Sequence, residues 1–466
     1  EVLDEIYDLF IELGAEEAQL DFPVLYLIAR DGLATLTPNE IGRDLKPLVK
    51  AIVETVPPPA DHSKEPFCMQ ANSMAYDDYV GRLVVGRVLA GAVEVNQPVS
   101  VQGEQDKAKT AKVTGIFTFV GLQRLTHEVA RCGDIVAIAG VEDVTIGDTL
   151  CDPAHPRTLP RIHVDEPTVM MTFQINDGPL AGRSGKFLTS RQLRDRLYKE
   201  AFANVSIRVS DGDTPEQFRV LGRGDLQLAV LIESLRREGY ELCVRKPEVV
   251  TRYGAQGKEE PVERLVVDVP PEHMGAVSEA VGRRKATMLD QRQDGSRVRL
   301  EYQIPTRGLF GLRSQLLTVT RGTVMQHSVF DGWMPWAGPL PMRPNGALVS
   351  DRLGKATPYA LFHMQPRGDL FIRPGTEVYE GMVVGEHNRE NDLNVNAVRP
   401  KKLTNVRAAG KDEATVVSPP RLMPLERCLE WVEDDEMVEV TPEAIRLRKR
   451  ILAQGRRTII RGERKR

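Results

Sequence analysis

Apolar positions recur at helical spacing from the first turn of the chain. Val2, Leu3, Ile6, Leu9, Phe10 and Leu13 fall on one stripe and Gly14 stops it, which is the 3.6-residue period of an amphipathic helix. The apolar run from Pro23 to Ala29 has the length of a buried strand, Asp31-Gly32 reads as a turn, and Leu45, Leu48, Val49, Ile52 and Val53 form a second helical stripe. Helix, buried strand, helix is the order expected at the closing edge of an α/β sheet whose other strands lie elsewhere. Pro57, Pro58 and Pro59 then break the helix and stiffen a connector to about Glu65.

The pattern changes at residue 66. Short β-rich runs (Arg82 to Leu89, Val93 to Val101, Lys112 to Val120, Asp134 to Ala139) alternate with glycine turns, and their even spacing predicts a small closed barrel over 66–155. Residues 163–247 read as strand, helix, two strands, helix and strand, with the helices at Ser190 to Asn204 and Gly224 to Glu238. Residues 260–330 repeat that order, with helices at Pro271 to Arg284 and Gly308 to Thr318. Each is a β-α-β-β-α-β unit, two helices on one face of a four-stranded antiparallel sheet. Mixed β segments and a helix near Leu425 to Val432 fill 340–450, and a basic tail occupies 451–466. The predicted fold class is thus multidomain: an α/β remnant at 1–60, a β-barrel, two α+β units and a β-rich C-terminal domain.

Length agrees, since 466 residues predict about three domains, or more if they are small. No apolar run approaches the roughly 18 to 20 residues of a membrane span. Cys68, Cys132, Cys151, Cys243 and Cys428 are scattered and never spaced C-x-x-C, a pattern of reduced thiols. Glu1 opens directly into the first amphipathic stripe, so the chain reads as starting inside a longer one. The net charge of −4 hides an asymmetry: from Arg446 onward there are ten Lys or Arg and one acidic residue, a local +9, which leaves −13 on the rest. A cationic end on an acidic body favours a polyanionic partner. Glu433 to Glu436 lie just before it, however, and offer internal partners to the same charges.

Catalytic chemistry is not visible. A P-loop needs G-x-x-x-x-G-K-[ST]; Gly185-Lys186 is the nearest approach, but Phe187 follows and Leu180 stands at the first glycine position. Gly222-Arg223-Gly224 starts a G-x-G-x-x-G that ends at Gln227 and reads as a turn into a helix. The eight histidines are dispersed, with no metal-ligand spacing among them or the cysteines, and no triad is locally organised. The chain reads as one built to bind, with no catalytic residue and no metal site.

Taken in order, the segments resemble translational GTPases of the elongation factor G type, and most closely the BipA/TypA family of ribosome-associated GTPases. Tyr79 to Leu83, Gly86-Arg87-Val88, Gly133 to Val136 and Gly147 to Leu150 are similar to the second domain of those factors. Asp165-Glu166-Pro167, Gly185 to Phe187 with Thr189 to Arg191, and Gly222 to Leu226 resemble the third, and Ile304 to Leu309 with Leu312-Arg313-Ser314 the fifth. Gly375 to Met382, Asn391 to Asn396 and Lys401 to Ala408 resemble the C-terminal domain that separates BipA/TypA from its relatives. The resemblance implies ferredoxin-like folds for 163–247 and 260–330, and implies that 1–60 is the end of a GTP-binding domain whose P-loop, switches and N-K-x-D lie upstream.

It further implies a cytoplasmic, monomeric protein whose intact form uses GTP and Mg2+ and docks at the ribosomal factor site on rRNA of both subunits and the tRNA acceptor end. Such a protein would support large (50S) subunit assembly and translation under stress, with no membrane or DNA partner. This chain alone is expected to bind no cofactor and to hydrolyse no GTP; a stand-alone, non-enzymatic ribosome- or RNA-binding module is the alternative. Of the family's guanine-holding Ser-Ala pair, Ile28 replaces the Ser, so only Ala29 and Arg30 carry over as remnant nucleotide-binding residues.

Three groups are candidates for RNA contact. The first is the basic stretch Lys401, Lys402, Asn405, Arg407 and Lys411, which reads as a projecting loop rewarded by counterion release. Arg446, Arg448, Lys449 and Arg450 are the second. Arg283, Arg284 and Lys285 at a helix end, with Arg307 and Arg313 near the next helix, are the third. Aromatic residues do not interleave with these charges in sequence, so phosphate contact is expected to outweigh base stacking.

Overall fold

A computed structural model describes residues 2–457 except 39, 59, 78, 104–107, 122, 163–165, 205, 255–256, 341–342 and 402–415, with the backbone alone at 294. Lys402, Asn405, Arg407 and Lys411 therefore lie outside the described residues.

The first helix, Val2–Glu12, and the helix Lys46–Thr55 form where the stripes predict. The strand between them does not sit as predicted. Tyr26–Ile28 pairs with Leu33–Thr35 alone, and its three side chains are exposed rather than buried. The sequence carries the hydrophobicity of a central strand, but the two-stranded ladder gives it no sheet to be central to.

The barrel closes through one bent chain segment. Lys109–Lys112 pairs with Pro98–Gln102, and two residues later Gly115–Val120 pairs with Ile135–Ala139. The ladder then runs through Gly81–Ala90, Cys68–Gln70 and Thr149–Cys151 back to Pro98–Gln102, around a core that includes Val84, Val88, Ile116, Ile138 and Leu150. Gly86 is required at the crossing point, because a Cβ there would stand 2.1 Å from the Gln70 carbonyl oxygen.

Both predicted β-α-β-β-α-β units are present. In the first, the strand order is Arg208–Asp211, Gln217–Gly222, Val169–Ile175, Leu242–Val244. Helix Ser190–Ala203 starts at a capping box in which the Thr189 Oγ1 accepts the Gln192 N–H and the Gln192 side chain accepts the Thr189 N–H. Helix Asp225–Glu238 ends at Gly239, which takes φ +100°, the left-handed conformation of a helix stop. In the second unit the order is Met325–Pro335, Gly257–Val269, Arg297–Pro305, Thr287–Asp294, over a core of its own that includes Val267, Leu300 and Leu316.

The boundary drawn in sequence between 163–247 and 340–450 is not a boundary in space. Leu242, Cys243 and Val244 pair antiparallel with Val440, Glu439 and Val438, so one sheet runs from Arg208–Asp211 through Glu436–Val440 and Ile445–Lys449 to Leu393–Val395. Helices Ser190–Ala203, Asp225–Glu238 and Leu425–Trp431 share the core on one face, which takes in Leu197, Ile232, Leu429, Val438 and Leu447. Helix Pro358–Met364 contributes Leu361 to the other, with Tyr379 and Val384. The second unit is inserted between the two halves of this sheet and touches them by side chains such as Ser314, which donates to Glu430 at 3.1 Å.

Candidate RNA interface

Strand Ile445–Lys449 was the densest basic segment in sequence, and the fold turns most of it inward. Its hairpin partner Glu436–Val440 aligns Glu439 with Arg446 and Glu436 with Lys449. The Arg446 guanidinium pairs with Glu439 at 2.9 Å, on a carboxylate with no exposed surface. Glu439 also accepts from the Tyr379 hydroxyl and, at 3.4 Å, from Asn176 Nδ2. Arg448 is 1% exposed; it pairs with Asp177 across the seam and lies 3.5 Å from Cys243 Sγ. Burial drives the Cys243 thiol up to about 12, with Arg448 pulling the other way. Lys449 reaches Asp392, Asp435 and Glu436 at 2.5, 2.9 and 2.9 Å. Desolvation opposes its charge, but the carboxylates outweigh it and hold the amine above its ordinary range.

Arg448 and Lys449 are therefore corrected: both are buried ion-pair partners that a phosphate cannot reach, Arg448 joining the two halves of the sheet through Asp177 and Lys449 tying strands within its C-terminal half. Arg446, partly covered and paired, belongs with them. Arg450 alone of this group is exposed.

The second unit divides the same way. Arg284 donates to the Gly308 and Phe310 carbonyls at 2.8 and 2.5 Å and to Gln315 at 2.9 Å, so it clamps the end of helix Met274–Gly282 to the start of Leu312–Val319. Burial lowers its pKa. Arg307 forms a bidentate pair with fully buried Glu260 at 2.5 and 2.9 Å and lies 3.8 Å over the Trp336 ring. Both are structural, which corrects their assignment as RNA contacts. Arg283, Lys285 and Arg313 face solvent. Arg283 carries an exposed pair to Glu279, which is worth little in water.

Lys401, which precedes the 402–415 stretch in sequence, is exposed. Ala29 and Arg30 lie in an exposed 3-10 turn, where Arg30 pairs with Asp31 at 3.2 Å.

Sequence reasoning missed the indole platforms. All three tryptophans carry a cation: Arg252 over Trp333, Lys258 and Arg307 over Trp336, and Arg343 over Trp431. Long-range pairs of this kind leave no local signal.

The loop at Gly182 to Gly185 clarifies the near-P-loop. Its N–H groups do converge on an anion, but the anion is Glu241, which accepts from Gly182, Ser184 and Gly185 at 2.8, 3.0 and 2.7 Å. Burial raises the Glu241 carboxyl and these donors more than offset it, leaving its pKa below the ordinary value of 4.5. Among the described residues no group of three or more His, Cys, Asp or Glu could hold a metal, and no helix is long and apolar enough to cross a membrane.

Comparison with known proteins assigns the segments. Residues 345–454 match the TypA/BipA C-terminal domain, 258–343 the elongation factor G C-terminus and 81–151 the elongation factor Tu domain 2. The chain is 47% identical over 459 residues to the large ribosomal subunit assembly factor BipA of Bacillus subtilis, covering 98% of this chain and 75% of that protein. Proteins of the same name from Salmonella typhimurium (99% of this chain, 77% of that protein) and Haemophilus influenzae (98% and 74%) are each 46% identical to it. With identity at this level running through the barrel, both split units and the C-terminal sheet, the chain belongs to the TypA/BipA family.

Proposed function

We propose that this chain is the ribosome-binding body of a TypA/BipA-type translational GTPase that acts in assembly of the large ribosomal subunit in the cytoplasm. The observation that carries the reading is near-end-to-end identity of 46 to 47% to proteins named for that role. The two split units are read as ferredoxin-like domains of the elongation factor G type, and residues 1–60 as the end of a GTP-binding domain.

RNA contact is assigned to the cations that the fold leaves outward: Arg283, Lys285, Arg313, Lys401 and Arg450, with Lys402, Asn405, Arg407 and Lys411 beside Lys401 in sequence. These are phosphate contacts to folded rRNA and to the tRNA acceptor end. Co-sedimentation of the chain with large ribosomal subunits across a salt series tests the reading. Each cation removed lowers the log-log salt slope by about 0.9, the value for duplex DNA and the same order for RNA. An Arg313→Ala, Lys285→Ala double variant with an unchanged slope would remove the second unit from the interface.

The residues present do not fit a triphosphate. The Gly185-Lys186 loop has its N–H groups committed to Glu241, and Lys186 is followed by Phe187 rather than a magnesium-binding hydroxyl. Ala29 and Arg30 supply at most an edge of a base site. Purified chain should therefore show no GTP turnover above a buffer blank.

A further inference from the structure

Two of the five thiols face each other on the outer face of the barrel wall, opposite the face on which Met69 and Leu150 enter the core. Cys68 on strand Cys68–Gln70 is the direct antiparallel partner of Cys151 on strand Thr149–Cys151, so both side chains lie on the same face of the sheet. The hydrogen bonding fixes which kind of pair this is. Asp152 N–H donates to the Phe67 carbonyl at 3.1 Å, and Ala71 N–H to the Asp148 carbonyl at 2.9 Å. Those positions are therefore hydrogen-bonded pairs, and by alternation Cys68 and Cys151 form a non-hydrogen-bonded pair, whose Cα atoms stand about 4.5 Å apart. That is inside the window of about 4.4 to 6.8 Å that a disulfide spans. Both thiols are free and buried.

A path to solvent exists on the Cys68 side. A cleft of about 370 Å3 is lined by Pro66, Phe67, Cys68, His155, Pro156 and Arg157. Cys151 is absent from its wall and has no exposed surface. Burial holds the Cys68 thiol above its ordinary range while the Arg157 guanidinium acts in the opposite sense. This makes Cys68 a slow nucleophile and favours an oxidant able to enter the cleft.

We propose that Cys68 and Cys151 are a thiol–disulfide site, oxidised by a small hydroperoxide entering the cleft beside Cys68. The Cys68 thiolate attacks the peroxide oxygen, the O–O bond breaks, and Cys68 becomes a sulfenic acid as the alcohol or water leaves. The Cys151 thiolate then attacks the Cys68 sulfur and expels hydroxide, which takes up a proton to form water. Two thiols and one hydroperoxide thus give one disulfide, one alcohol or water and one further water. Reduction by a dithiol reverses it.

The bond ties neighbouring staves of the barrel at the point where the chain enters and leaves it. The Arg157 N–H donates to the Cys151 sulfur at 3.5 Å, and its guanidinium pairs with Glu65 at 3.3 Å. Drawing the Cys151 sulfur towards Cys68 withdraws that acceptor, so oxidation stiffens the barrel and loosens the 152–162 strap that follows it.

The test uses the reduced full chain treated with hydrogen peroxide, blocked with an alkylating reagent after unfolding, and mapped by mass without reductant. The expected product is a peptide pair joining Cys68 to Cys151, two hydrogens lighter than its parts and released by dithiothreitol. In Cys151→Ser the intermediate cannot resolve, and dimedone labels Cys68. The proposal fails if half-buried Cys132 is oxidised while Cys68 and Cys151 both remain alkylatable. It also fails if dimedone labels Cys151 rather than Cys68 in the corresponding single variants. Where a serine variant does not fold, the mass map of the unmodified sequence still decides.

Discussion

Strand Ile445–Lys449 and the helix ends of the inserted unit carry comparable runs of positive charge, Arg446, Arg448, Lys449 and Arg450 against Arg283, Arg284 and Lys285, yet the fold uses them differently. In the strand, Glu439 and Glu436 lie on the paired strand opposite Arg446 and Lys449, while Asp177 and Asp392 approach from neighbouring segments. At the helix end Arg284 turns back onto neighbouring segments and meets carbonyl oxygens rather than carboxylates, while Arg283 makes an exposed pair with Glu279 of its own helix. Cationic density therefore locates an RNA surface only after the acids supplied by neighbouring strands have been subtracted.

The largest effect that could break this contrast is loss of a buried acid. Glu436 has no exposed surface and accepts from both Arg343 terminal nitrogens at 3.1 Å while pairing with Lys449. Glu436→Ala is expected to cost about 3 to 5 kcal/mol in chemical denaturation, the usual penalty of stranding buried charge. Lys285→Ala and Arg313→Ala should each stay within about 0.5 kcal/mol while weakening subunit binding. If the two classes of variant were to cost the same, the division into seam and surface would fail.

Next in size is the capping box, where Thr189→Ala should cost about 1 kcal/mol, read as a shift in denaturation midpoint.

The smallest effect is an acid sensitivity. Because the folded pKa of Glu241 is depressed, its contribution is complete above 4.5 and is lost as pH falls from there through the lower folded value. Amide exchange at Gly182, Ser184 and Gly185 should accelerate over that window. In Glu241→Gln it should be fast already at neutral pH, with little further change on acidification.

Periodicity and turn residues made three helices legible nearly to the residue, Ser190–Ala203, Asp225–Glu238 and Leu425–Trp431, whereas the helix read from Gly308 starts at Leu312 and Pro358–Met364 lies in a stretch read as mixed β segments. Barrel closure and the order of both split units were legible too, because they follow from short-range alternation and connection rules. The sheet joining Leu242–Val244 to Glu436–Val440 was not. Nothing within either strand names its partner, and each reads as the end of its own domain. The RNA candidates inherited that blindness, since Arg448 and Arg307 become structural only through Asp177 and Glu260, which lie 271 and 47 residues away in the chain. Residues 23–29 failed in the opposite sense, being apolar enough to be interior yet exposed at Tyr26, Leu27 and Ile28.

The continuous sheet also sets a schedule for synthesis. When Leu242–Val244 leaves the exit tunnel its outer edge has no neighbour, and the segment that covers it begins at Glu436, about 190 residues later. At 5 to 20 residues per second that is a wait of roughly 10 to 40 s. During it the nascent protein holds a bare β-edge beside a growing, already folding insertion, so premature pairing with another chain is the hazard this architecture must outlast.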